Sequence, residues 1–157
     1  MRTVAVIGSG TMGSGIAQVC AQTGWETRLY DAFPESLDKG MNSIDEFWKS
    51  GIRRGKNTEE QVKDWSEKLV PCGNLEDALS GVDLVIEAVP EKIDLKRSIF
   101  QKIEELAPEN AILATNTSGL RISEIASVVK NPERVVGMHF FNPVPIMKLL
   151  EVIKHDS

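Results

Sequence analysis

The strongest constraint on this chain lies at its start, in TVAVIGSGTMGSGIAQVCAQTGWETRLYD, where Gly8-Ser9-Gly10-Thr11-Met12-Gly13 fits G-x-G-x-x-G. The flanks carry more information than the glycines. Thr3 to Ile7 is a short β-branched run of the kind that forms buried parallel strands. Ile16, Val19 and Cys20 then recur at helical spacing beside Ala17 and Ala21, and Gly24 is placed to stop that helix. A second strand, Glu26 to Tyr30, ends on Asp31, 18 residues beyond Gly13. Strand, glycine turn, helix, strand and acid in this order make a βαβ unit suited to a dinucleotide.

Each position has a physical task. Gly8 permits the tight turn, Gly10 lets a pyrophosphate approach the backbone, and Gly13 lets helix and strand pack closely. The segment from Gly8 through Ser9, Thr11 and Met12 leads into a helix N-terminus, whose free N–H groups and positive dipole end favour phosphate. Asp31 can accept from both ribose hydroxyls of NAD and repels the 2′-phosphate of NADP, and Ala32 and Phe33 bring no arginine to offset that. The expected cofactor is therefore NAD.

The remaining elements extend the unit. Pro34 opens a helix bearing Leu37, Met41, Ile44, Phe47 and Trp48, with Gly51 as its expected end. A basic, polar connection follows. Thr58 with Glu59 and Glu60 reads as an N-cap with acids in the first turn, and Val62, Trp65 and Leu69 form the next stripe. This helical hairpin is an insertion after the second strand. A strand at Leu69 to Cys72 and a short helix at Leu75 to Leu79 come next. VDLVIEAVP reads as a central strand. DLKRSIFQKIEELAPEN reads as a helix with Leu95, Ile99, Ile103 and Leu106 on one face, closed by Pro108. AILATNTS, a helix at Ile122 to Val129, ERVVGMHFFNP and a last strand within PIMKLLEVIKHDS complete the chain. The fold class is α/β: a Rossmann-type, doubly wound, mainly parallel sheet with its ligand beyond the C-terminal strand ends.

At 157 residues, one domain spanning 1–157 is the natural count. A net charge of −5 gives no footprint for nucleic acid or an anionic membrane. No apolar stretch reaches the roughly 18 residues of a membrane span, and no leader segment is read at the N-terminus. Cys20 and Cys72 form no C-x-x-C pair, and no metal-ligand cluster is read. Cys20 reads as a small core residue, and free thiols fit a cytoplasmic location.

Polar residues gather at the expected ligand edge. Hydride transfer at a carbinol needs a proton acceptor for its oxygen, and histidine suits that task near neutral pH. His139 follows the apolar run RVVGM and precedes Phe140-Phe141; it is either that base or a hydrogen-bonded core histidine. His155, beside Asp156 and Ser157, reads as solvated. The prolines after Asn142 can turn the chain so that Glu151 lies beside His139, either to orient its ring or as a surface strand residue. Ser118 is either a donor to a substrate oxygen or a turn or N-cap serine, and Asn116 and Asn142 are also plausible in turns.

The stretches VIGSGTMGSGIAQV, DLVIEAVPE, NTSGL and GMHFFNPVPIMKLLEVI resemble the NAD-binding domain of the 3-hydroxyacyl-CoA dehydrogenases, over essentially the whole chain. The resemblance implies NAD-dependent oxidation of a 3-hydroxyacyl-CoA to the 3-oxoacyl-CoA, and the reverse. It implies His139 as acid/base, Glu151 as its paired carboxylate and Ser118 as the contact to the reacting oxygen. Glu91, Lys96, Asn116 and Asn142 fall where the family has further cofactor or active-site contacts. Arg54 and Lys56, with Arg53 nearby, could meet coenzyme A phosphates.

Two departures stand out. Gly119 replaces a serine common in the family, and Phe47-Trp48 stand where a polar contact is usual. Alternative readings are a superfamily dehydrogenase acting on carnitine or a sugar acid, or a non-catalytic NAD-binding module. The family continues into a helical C-terminal domain that carries the dimer interface and one wall of the substrate pocket. That domain is absent from this chain, so the expectation is a domain that holds NAD and turns over little or nothing alone.

Overall fold

The computed structural model describes residues 2–156; the ends of the expected 1–157 domain, Met1 and Ser157, lie outside the described residues. The order is β1 (Thr3–Ile7), α1 (Thr11–Gln22), β2 (Glu26–Tyr30), α2 (Pro34–Arg53), α3 (Glu59–Lys68), β3 (Leu69–Cys72), α4 (Leu75–Leu79) and β4 (Leu84–Glu87). Then come α5 (Ile93–Leu106), β5 (Ile112–Thr115), α6 (Ile122–Ala126), a 3-10 turn at Pro132–Arg134, β6 (Val135–Phe140) and β7 (Leu150–Ile153). The strands form one sheet in the order β3-β2-β1-β4-β5-β6-β7. All neighbours are parallel except β6 and β7. The order reverses between β1 and β4, which opens the crevice where doubly wound sheets bind ligands.

Alternation along the strands feeds two cores. Ala5 and Ile7 of β1 face one core with Leu79, Val85, Phe100, Ile103 and Leu113. Val4 and Val6 face the other with Ile16, Leu29, Ile44 and Trp48. The hairpin of α2 and α3 closes this second core. Trp48 packs on Trp65 with ring centroids 5.8 Å apart, and its Nε1 donates to Gln22 on α1. Phe47 points outward and is exposed, so only Trp48 is a packing anchor. Thr58 caps α3 as expected, in a reciprocal pair with Gln61.

Four boundaries or faces differ from the sequence reading. Helix α2 runs past Gly51 to Arg53, because the left-handed residue that ends it is Gly55, at φ +72°. Gly51 instead meets Asn57, which would clash with a Cβ there. Helix α6 stops at Ala126 rather than Val129, giving way to turns. Helix α5 buries Lys96, Phe100 and Ile103, while Leu95 and Leu106 are exposed, so its inner face is rotated by about one residue. His155 is partly buried rather than solvated, its Nε2 lying 3.0 Å from the Pro132 carbonyl. Cys20 is partly buried against the second core, and both cysteines are free. Among the described residues, no helix is long and apolar enough to cross a membrane.

Candidate active site

The first turn of α1 is built for an anion. Gly8 adopts φ +101°, and a Cβ there would lie 2.7 Å from the Ala88 carbonyl oxygen. Gly13 is under a harder constraint, since a Cβ would sit 1.7 Å from Gly8 O. A Cβ on Gly10 would meet nothing within 4 Å, so that position faces open space. Gly10 caps α1 without a side-chain hydrogen bond, and no acid stands in the first turn. The N–H groups and the positive end of a 12-residue helix are therefore left to a ligand. Ser9 and Gly13 are buried beneath this turn rather than lining it.

Asp31 stands at the end of β2, beside that turn. Ser9 donates to its Oδ2 from both N and Oγ at 2.9 Å, and Phe33 N donates to Oδ1 at 2.9 Å. These parts fit a dinucleotide: open backbone for the pyrophosphate and a fixed carboxylate for the ribose.

A polar cluster, buried at Glu87, Lys96, Thr115 and Thr117 and open at Glu91, lies at the C-terminal ends of β4 and β5. Lys96, 2% exposed, donates to Glu87, 0% exposed, at 2.6 Å, and also to Val89 O at 3.1 Å. Thr115 Oγ1 and Val89 N donate to the same Glu87 carboxylate. Burial pushes the Glu87 carboxyl above its ordinary range, with the Lys96 ammonium and the hydrogen bonds pulling it back. Glu91 is 3.7 Å from Lys96 and accepts from Thr117 Oγ1 at 2.5 Å and from Ser118 N at 3.2 Å. Partial burial works against the Glu91 charge. The Thr117 and Ser118 hydrogen bonds and the Lys96 ammonium outweigh it and hold the carboxyl below its ordinary range.

Sequence reasoning missed Glu87, and it put Thr117 at the ligand edge beside Asn116 and Ser118 without a task of its own. Glu87 is hidden inside an apolar run; its signal is an acid in a central strand nine residues before a lysine. Lys96 reaches the cleft wall, but its ammonium is engaged by Glu87.

His139 and Glu151 are directly opposed in the antiparallel β6–β7 pair, so their side chains share a face. Nδ1 of His139 lies 3.5 Å from Glu151 Oε2, at the outer limit of hydrogen bonding. Phe141 packs against the imidazole at 4.5 Å between centroids. Asn116 is no mere turn residue: its Oδ1 accepts from Phe140 N at 2.9 Å and ties the tip of β5 to β6. Ser118 is not the N-cap of α6, which is Arg121. Its Oγ lies 3.4 Å from Glu91, close to the limit of a hydrogen bond.

One cleft of about 820 Å³ joins these parts. It runs past Gly8, Gly10, Thr11 and Met12, is flanked by Asp31 and Glu91, and reaches Asn116, Ser118, His139 and Asn142. Beside Ser118, Gly119 faces open space. Arg54 and Lys56 lie outside the cleft, exposed on the turn between α2 and α3. No cluster of metal-ligating side chains occurs among the described residues.

A family model described as 3-hydroxyacyl-CoA dehydrogenase, NAD binding domain, matches residues 3–157. The chain belongs to this family. It is an NAD-binding domain, and NAD is its cofactor. It is similar to the 3-hydroxyadipyl-CoA dehydrogenase of Escherichia coli K12, with 46% identity over 98% of this chain and 32% of that one. A probable 3-hydroxybutyryl-CoA dehydrogenase of Bacillus subtilis is 42% identical over 98% of this chain and 53% of its own. The solved structure of a (S)-3-hydroxybutyryl-CoA dehydrogenase from Ralstonia eutropha superposes with a TM-score of 0.93 at 38% identity, covering 97% of this chain and 53% of that one. The chain thus spans about a third to a half of the length of these relatives.

Proposed function

We propose that this domain is the NAD-binding part of a dehydrogenase that oxidises a 3-hydroxyacyl-CoA to the 3-oxoacyl-CoA and catalyses the reverse reduction. The single cleft that joins the Asp31 turn to His139, which Glu151 faces across the β6–β7 pair, carries this reading. Gly8 to Gly13 and Asp31 would hold the pyrophosphate and ribose, with Glu91, Asn116 and Asn142 further along the cleft and Lys96 acting through its network. When bound, NAD supplies the two-electron acceptor for the carbinol.

The chain's own groups handle the proton. His139 takes the hydroxyl proton at Nε2, because Nδ1 faces Glu151. Glu151 fixes the ring and balances the imidazolium that forms. Ser118 turns its hydroxyl to the reacting oxygen, on a backbone that Glu91 and Thr117 hold in place. Arg54 and Lys56, exposed beyond the cleft, are placed to meet the phosphates of coenzyme A.

We assign the rest of the substrate pocket and homodimerisation to a helical C-terminal domain, in keeping with the greater length of the relatives. The free cysteines support a reducing, cytoplasmic location. The test is reduction of acetoacetyl-CoA by NADH, assayed for residues 1–157 and for this domain joined to such a helical domain, with carnitine oxidation by NAD as the competing assay. Turnover of acetoacetyl-CoA by the joined protein, and little or none by residues 1–157, is expected. Turnover of carnitine instead would overturn the substrate class.

A further inference from the structure

We propose that Ser9 sets the preference of this cleft for NAD over NADP, by locking the Asp31 carboxylate across its ribose end. The inference rests on the reading of Asp31 as the ribose acid.

The observation is the number and direction of donors on one carboxylate. An ionised carboxylate offers about four lone-pair sites. Ser9 fills two on Oδ2 from its amide and its hydroxyl, each at 2.9 Å. Phe33 N fills one on Oδ1. The remaining capacity is on Oδ1, and Asp31 lines the cleft.

Ser9 is itself held. It is 3% exposed, and the backbone of α2 lies against it at Gly40, where a Cβ would come within 2.7 Å of Ser9 O and 3.1 Å of Ser9 Cβ. The glycine turn, the β2–α2 turn and α2 thus converge on one side chain.

The consequence concerns rotation. An aspartate held only by its own backbone can swing aside and admit a 2′-phosphate. One pinned at both oxygens keeps its charge where that phosphate would have to sit. Rejection then comes from a fixed repulsive group, and NAD meets an acceptor already in place. The two lysines lining the cleft, Lys96 and Lys102, both belong to α5, and the turn bearing Asp31 supplies no cation.

The amide of Ser9 is present whatever the side chain, so the hydroxyl contributes one of the three donors. Its loss should narrow the ratio of NADP to NAD dissociation constants about fivefold, the usual worth of one hydrogen bond. General damage to the turn would weaken both nucleotides equally, because they share the pyrophosphate and adenosine parts, and would leave the ratio alone.

The test is calorimetric titration of NAD and NADP into the wild-type protein, Ser9→Ala, Asp31→Ala and the double variant, with folding checked by circular dichroism. Expected are a narrowed ratio for Ser9→Ala, a larger narrowing for Asp31→Ala, and a double variant no different from Asp31→Ala, because Ser9 acts through that carboxylate. A wild-type ratio in Ser9→Ala beside a narrowed one in Asp31→Ala would overturn the role of Ser9 and leave the ribose acid standing. An unchanged ratio in Asp31→Ala would overturn both. Should Ser9→Ala not fold, Ser9→Gly removes the same hydroxyl, keeps the amide and is read in the same way.

Discussion

His139 and Glu151 face each other across the β6–β7 pair, 12 residues apart in sequence, with the imidazole also packed on Phe141. That placement gives each residue a separable task. His139→Gln removes the proposed proton acceptor while keeping a polar side chain of similar reach. In a protein that joins this domain to the proposed helical domain, kcat should fall roughly 10²–10⁴-fold, the range for general acid–base catalysis, with NAD affinity nearly unchanged. Glu151→Gln keeps the shape and removes the charge proposed to balance the imidazolium, so kcat should fall substantially and the KM for NAD should hold. Steady-state kinetics of both variants check this; wild-type kcat in Glu151→Gln would make Glu151 a structural residue only. At this scale much was legible. The spacing of His139, the prolines after Asn142 and Glu151 suggested a hairpin return, and the register places the pair opposite each other. Ser9 was read only as part of the phosphate turn, because its bonds to Asp31 depend on two separate turns meeting in space.

Helix α5 shows where a linear pattern loses to tertiary packing. Leu95, Ile99, Ile103 and Leu106 have amphipathic spacing, yet Leu95 lines the cleft, Leu106 faces outward, and Lys96 occupies the inner face. The lysine stem packs as an apolar chain and its ammonium finds Glu87 at the tip of β4. No local pattern announces this, because the partner sits inside a run that reads as wholly apolar. The energetic signature of such a pair is asymmetric. Lys96→Met should leave a buried, unpaired carboxylate and lower unfolding free energy by about 3–5 kcal/mol, whereas Lys96→Met with Glu87→Leu should recover much of that loss. Denaturant unfolding of the two variants decides it, and equal losses in both would show that the ion pair itself carries the stability. The other elements were largely legible: the Thr58 cap and the hairpin insertion are present as read, while the ends of α2 and α6 moved, set by Gly55 and by the turns after Ala126, and β4 and β5 are shorter than the apolar runs that announced them.

Across the whole molecule, strand tips from β1, β2, β4, β5 and β6 feed one cleft, so the glycine turn, Asp31 and His139 share a continuous wall. This convergence follows from a doubly wound order that places every parallel C-terminal end on one side. The order was legible because alternating strands, helices and glycines leave few right-handed arrangements. The polar cluster of Glu87, Lys96, Glu91 and Thr117 was not, because it joins residues from three separate segments. The most direct measurement of the central claim is calorimetric titration of residues 1–157 with NAD and with NADP. Expected is one NAD site of micromolar-range affinity, on the order of −8 kcal/mol, with NADP clearly weaker because Asp31 opposes its 2′-phosphate. No NAD binding, or NADP binding equal or tighter, would contradict it.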